Sequence, residues 1–323
     1  MQQLLRPRAL KPGDTVAIAA LSSPLEEEEL DQYERGVAVL ESLGFRVKPA
    51  PLVEARRIRW WAAAEPAEVA GELNALFRDP EVAAIWGLVG GKFAFSYLDQ
   101  IDFDAVAANP KPVVGMSDIA AVLLALHSRT GLVGLHADPV MYGLGEWQTL
   151  PDDYRADLAA AYGAVLTSAE PIGRLPSQPT WETWRPGRAE GRLLGGMQHR
   201  FLRIQASPFA FAPERFDGAI LFVEDYSVPK INFWHDLHVL RLGGILDRIA
   251  GLIIGPTDGF LADDYGPVTV REFVLDVVGD RDIPILANVN CGHSGPNIPL
   301  PLGVRAALDA DARTIELLEA AVS

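Results

Sequence analysis

Cysteine is almost missing from this sequence. The chain of 323 residues holds one, Cys291, so no intrachain disulfide can form and no oxidising compartment is required. A cysteine metal cluster is excluded on the same count, and no H-E-x-x-H pattern takes its place. His235 and His238 are three apart, but no further ligand motif accompanies them. Positive charge is also scarce: 28 Lys and Arg stand against 43 Asp and Glu, a formal net charge of −15. Such a surface repels phosphate backbones and anionic lipid, so neither nucleic acid nor membrane is an expected partner. A small anionic ligand is not excluded, because a site can be locally basic. No apolar run reaches bilayer-spanning length. The opening MQQLLRPRALKPGDTVAIAALSSP reads as a turn and first strand rather than a signal peptide. The expected compartment is the cytoplasm.

What is present is an ordinary globular composition, 49% hydrophobic and 22% charged. The length suits about two domains of roughly 150 residues. TVAIAA (15–20) is a continuous β-prone run of the kind buried on both sheet faces. Helical spacing follows over 26–43, a short strand over 45–49 and another helix over 66–77. AAIWGLV (83–89) is a second buried strand, ending in Gly90-Gly91. From about 145 to 188 the texture shifts to Pro, Gly, Ser, Trp and Arg, as in RLPSQPTWETWRPGRAEG, which marks a linker. A second alternation then begins, with strands at 219–224, 249–254 and 285–289 and helices at 233–242 and 269–278. The expected fold class is α/β, with an N-terminal parallel sheet of Rossmann or flavodoxin type. Expected domains are 1–165 and 191–323, joined by a linker over 166–190.

The segment KPVVGMSDIAAVLLAL (111–126) sets Gly-Met-Ser-Asp between two apolar runs. One reading is a helix N-cap, since Ser and Asp accept bonds from free N–H groups. The other is a nucleophile on a strand-to-helix turn. Glu224, at the end of AILFVE, and His293, in NVNCGHSGP, occupy comparable strand ends. Functional groups collect at the carboxyl ends of strands in open α/β sheets. Ser117, Glu224 and His293 supply a nucleophile, an orienting acid and a base. Each also has an ordinary reading: Glu224 as a solvated strand end, His293 as a turn histidine and Cys291 as a small buried residue.

Five stretches taken in order resemble the LD-carboxypeptidases, the S66 family of serine peptidases. They are LKPGDTVAIAALSSP, DPEVAAIWGLVGGKFAFSYLDQIDFDAVAANPKPVVG, GMSDIAAV, LFVEDYSVPKINFWHDLHVLRLGGILDRIAGLIIGP and NVNCGHSGPNIPLPLGVRAALDA. The resemblance implies Ser117 as nucleophile, Glu224 as acid and His293 as general base. It implies an oxyanion hole from the backbone N–H groups of Gly91 and Asp118, a smaller C-terminal α/β domain with a barrel-like or swivelling sheet, a homodimer, and no metal or cofactor. Departures stand at Met116, Ala120, Lys92-Phe93, His136-Ala137-Asp138-Pro139 and Met197, none of them a reactive side chain.

Two family branches offer substrates. One trims D-alanine from cytoplasmic muropeptides in wall recycling. The other, microcin C immunity-like, cleaves peptidyl or aminoacyl nucleotides. The approach ANPKPVVGMSD and the Trp-bearing segment favour the second. There Trp181 or Trp184 would stack on a nucleobase and Arg185 or Arg188 would meet a phosphate or carboxylate. A silent binding protein on the same scaffold is the alternative of another class. A nucleotide-binding oxidoreductase is disfavoured, because GLVGG does not complete G-x-G-x-x-G.

Overall fold

Fourteen strands are arranged in two sheets in a computed structural model that describes residues 3–261 and 266–323. In chain order they are β1 (Thr15–Ala19), β2 (Arg46–Pro49), β3 (Val82–Gly87), β4 (Val113–Gly115), β5 (Leu135–His136), β6 (Gly173–Arg174) and β7 (Glu182–Arg185). There follow β8 (Arg188–Met197), β9 (Ile220–Glu224), β10 (Gly251–Ile254), β11 (Ile285–Ala287), β12 (Leu300–Pro301), β13 (Arg305–Asp309) and β14 (Thr314–Leu317). The first sheet runs β12-β5-β4-β3-β1-β2. Its five strands from the N-terminal half are parallel, in the 2-1-3-4-5 order of flavodoxin-like sheets. β12, from the C-terminal half, adds antiparallel to β5, so the two halves interlock. β1 and β3 are buried along nearly their whole length, as their unbroken apolar sequences require.

The second sheet runs β6-β14-β13-β8-β9-β10-β11-β7. Its centre, β8 to β11, is parallel, and antiparallel strands lie outside it. β8 serves two neighbours in turn: residues 188–192 pair with β13 and residues 193–197 with β9. The sheet is not a closed barrel. β6 and β7 are edges that pair with one neighbour each, so the sheet stays open. The segment expected as a linker, 166–190, supplies both edges. Crossing eight strands laid flat takes about 34 Å, and the chain between β6 and β7 reaches about 27 Å, so the sheet must curl.

The helix Ile119–Thr130 is buried at every position from Ile119 to His127. A helix apolar all round belongs in a core. It packs against the helices Phe103–Ala108 and Gln198–Gln205 and ends on Gly131, whose φ of 76° forms a left-handed cap. The helix Asp152–Thr167 lies within the region read as irregular. Among the described residues no helix is long and apolar enough to cross a membrane.

Candidate active site

The turn between β4 and the helix Ile119–Thr130 holds Ser117 at φ 61°, in the left-handed region. Serine seldom occupies that region, and strain of this kind gathers at functional turns. Neither Ser117 nor Asp118 caps the helix with its side chain. The Ser117 hydroxyl has no hydrogen bond among the described residues. It faces a cavity of about 1160 Å³ that also takes in Gly91, Asp118, Tyr226 and His293. Gly90 lies against it: a Cβ at residue 90 would sit 2.5 Å from both Cβ and Oγ of Ser117. Only glycine allows that approach.

Glu224 closes β9 and is 1% exposed. Its Oε2 lies 2.7 Å from Nδ1 of His293. Two glycines make room for this carboxyl group. A Cβ on Gly292 would lie 2.9 Å from Glu224 Oε2, and one on Gly255 would collide with its Cβ. With Nδ1 committed to Glu224, Nε2 is the other ring nitrogen of His293, and among the described residues no hydrogen bond joins it to Ser117. Burial pushes the imidazole pKa down, but the charge of Glu224 and its hydrogen bond outweigh burial, and the net shift is upward. Tyr226 covers one ring face, with centroids 4.8 Å apart and planes 7° apart.

The loop bearing the imidazole is fixed from the first sheet. The buried carboxyl of Asp138 accepts from Asn297 N at 3.0 Å and Asn297 Nδ2 at 2.7 Å, and from Trp147 Nε1 at 2.8 Å. Asn297 Oδ1 in turn accepts from Gly292 N at 2.6 Å, next to the imidazole. Burial pushes the Asp138 carboxyl up to about 7, against the pull of these bonds. The departure at 136–139 therefore serves to hold the loop that bears His293. His136 Nε2, 3.0 Å from the Cys291 carbonyl, adds a second tie, and Cys291 itself is buried.

The side chain of Asp118 does other work. Its Oδ2 accepts from Ser22 Oγ at 2.7 Å, Phe93 N at 2.5 Å and Ala94 N at 2.7 Å. Its Oδ1 lies 2.9 Å from Nε of Arg200, and Arg200 Nη2 donates to the Gly91 carbonyl at 3.0 Å. Gly91 has φ 147°, and a Cβ there would strike the hydroxyls of Ser22 and Ser23. Sequence reasoning singled out the Gly90-Gly91 turn and preferred Gly91 within it; it missed Tyr226, Asn297 and Arg200, which carry no local signal.

Trp181, Trp184 and Arg185 are not brought to this cavity. Trp181 is fully buried and donates Nε1–H to Asn290 Oδ1 at 2.9 Å, bracing the His293 segment from behind. An indole with no exposed face cannot stack on a nucleobase. Trp184 is buried and bonds Glu182, and Arg185 donates to the Gly279 and Arg281 carbonyls at the end of the helix Val270–Val278. Among the described residues no group of three or more His, Cys, Asp or Glu is placed to hold a metal ion.

A strained serine and an imidazole bonded to a buried carboxylate, opening on one cavity, have the make-up of a hydrolase site on an α/β scaffold. Two family models match the chain: the LD-carboxypeptidase N-terminal domain over residues 16–137 and the LD-carboxypeptidase C-terminal domain over residues 190–308. The chain belongs to the LD-carboxypeptidase family and is a peptidase of the S66 type. It is 28% identical to the Microcin C7 self-immunity protein MccF of Escherichia coli over 329 residues, covering 95% of this chain and 94% of that protein. It is 28% identical to a probable murein peptide carboxypeptidase of Bacillus subtilis over 319 residues, covering 98% and 95%. The structure of MccF in complex with glutamyl sulfamoyl guanosine superposes with a TM-score of 0.88 at 25% identity, covering 99% of this chain and all of that one.

Proposed function

We propose that this protein hydrolyses the acyl link of a small peptidyl or aminoacyl nucleotide through an acyl-enzyme on Ser117. The observation that carries the reading is His293, bonded through Nδ1 to the buried Glu224 and lining the same cavity as Ser117. In this reading the N-terminal part, 1–165, carries the nucleophile, and the part 191–323 carries acid and base. Ser117 Oγ attacks the carbonyl carbon while Nε2 of His293 takes its proton. The backbone N–H groups of Gly91 and Asp118 stabilise the oxyanion. Glu224 steadies the imidazolium. The leaving nitrogen takes the proton from His293 and departs. Water, deprotonated by His293, then attacks the ester and frees Ser117.

The nucleotide reading draws support from MccF, whose structures include complexes with glutamyl sulfamoyl guanosine and aspartyl sulfamoyl adenosine. Aromatic faces for a base are offered by Tyr226 and by Trp61, which is 56% exposed and donates to the carbonyl of Lys92, a cavity residue. The murein carboxypeptidase among the relatives favours a second reading, removal of D-alanine from a muropeptide. A cytoplasmic homodimer goes with either reading, supported by the family resemblance.

Mass spectrometry of products separates the two. Aspartyl sulfamoyl adenosine is expected to be cleaved with kcat/KM at least tenfold above that of a tetrapeptide ending in D-alanine. The reverse order establishes the second reading, and cleavage of neither overturns both.

A further inference from the structure

Arg200 lies outside the acid–base pair and outside any motif in the sequence, yet it is 5% exposed at the centre of the site. A guanidinium in that position must be paired on every side that water cannot reach. Its Nε forms an ion pair with the Asp118 carboxylate at 2.9 Å without hydrogen-bond geometry, and its Nη2 donates to the Gly91 carbonyl at 3.0 Å. These two residues carry the N–H groups assigned above to the oxyanion hole, so the inference rests on that reading. We infer that Arg200 is a positioning residue that sets the oxyanion hole from the opposite half of the molecule.

Asp118 follows the nucleophile directly, and its carboxylate gathers Ser22 and the amides of Phe93 and Ala94, so it ties the Gly-Gly loop to the serine turn. Arg200 then fixes both ends of that tie, the carboxylate on one side and the Gly91 carbonyl on the other. It projects from the helix Gln198–Gln205, which starts where β8 ends, and Met197 at that end is in register with Glu224 on β9. The guanidinium is thereby anchored to the backbone frame of the acid. One planar, multi-donor group locks the nucleophile and oxyanion half to the acid and base half. Misplacement by about 1 Å at such a site is enough to cost two orders of magnitude in rate.

The test compares R200Q and R200K with the wild type on two readouts: hydrolysis of aspartyl sulfamoyl adenosine, and the rate at which a fluorophosphonate labels Ser117. R200Q is expected to lose about 10²-fold in kcat, the scale of one lost oxyanion donor, with KM within about threefold. Labelling should slow in parallel. R200K keeps a charge for Asp118 but not the second donor, and is expected to recover about a tenth of wild-type kcat. Melting curves monitor folding. Should R200Q melt early, D118N/R200Q replaces it, since it leaves no unpaired buried charge. A folded R200Q or D118N/R200Q with wild-type kcat and labelling overturns the inference alone. A loss seen only in KM also overturns it. A wild type that takes no label at Ser117 overturns the hydrolase reading and this inference with it.

Discussion

Ser117→Ala is expected to reduce kcat by about 10⁶-fold while shifting Tm by no more than about 2 °C. The two halves of that result have separate causes. In the proposed mechanism the hydroxyl is the atom that becomes acylated, so its loss removes the reaction path rather than part of its stabilisation. Folding is spared because the hydroxyl makes no hydrogen bond among the described residues and its side chain opens on a cavity. The left-handed turn at φ 61° is held by the surrounding loop, and alanine bears the same strain as serine there. A steady-state assay beside a melting curve checks both halves together. A large fall in Tm would assign Ser117 to structure instead.

The second large effect is expected from Glu224→Gln: a fall in kcat of about 10⁴-fold and a displaced pH profile. The sign follows from the His293 pKa, which is raised net by Glu224 against the effect of burial. The general base must be neutral, so kcat/KM should rise with pH through a value above the ordinary histidine range near 6.5. Stability moves the opposite way. A raised pKa in the folded state contributes stability below the unfolded value and loses it as pH climbs through the folded one. The glutamine variant loses the attraction and keeps the burial, so its acid limb should move to lower pH. Combining it with Ser117→Ala should add almost nothing, because the two residues act as a unit. An unmoved acid limb in Glu224→Gln would mean that the carboxylate does not govern the imidazole.

Much of this site can be read along the chain because strand ends carry chemistry. β4, β9 and the strand before His293 are apolar runs that stop on a polar residue, and the folded chain sends Ser117 and His293 into one cavity with Glu224 bonded behind. The helix Asp152–Thr167 buries Leu158, Ala161, Tyr162, Val165 and Leu166 on one face, but alanines at 156, 159, 160 and 164 lie off that face and blur the apolar period. β13 and β14 are short and half exposed, so neither gives a long apolar run. Trp181 and Arg200 illustrate a different limit. Whether an indole packs or faces a ligand, and whether an arginine is solvated or buried against a carboxylate 82 positions away in the chain, depends on tertiary pairing that no local pattern encodes. The same holds for the curled but open second sheet, whose two edges come from one segment read as a linker.

The most direct measurement is peptide mapping by mass spectrometry after treatment with a fluorophosphonate. A single adduct on Ser117 is expected, formed more slowly in His293→Ala. An adduct on another residue, or none on a chain that still turns over substrate, would contradict it.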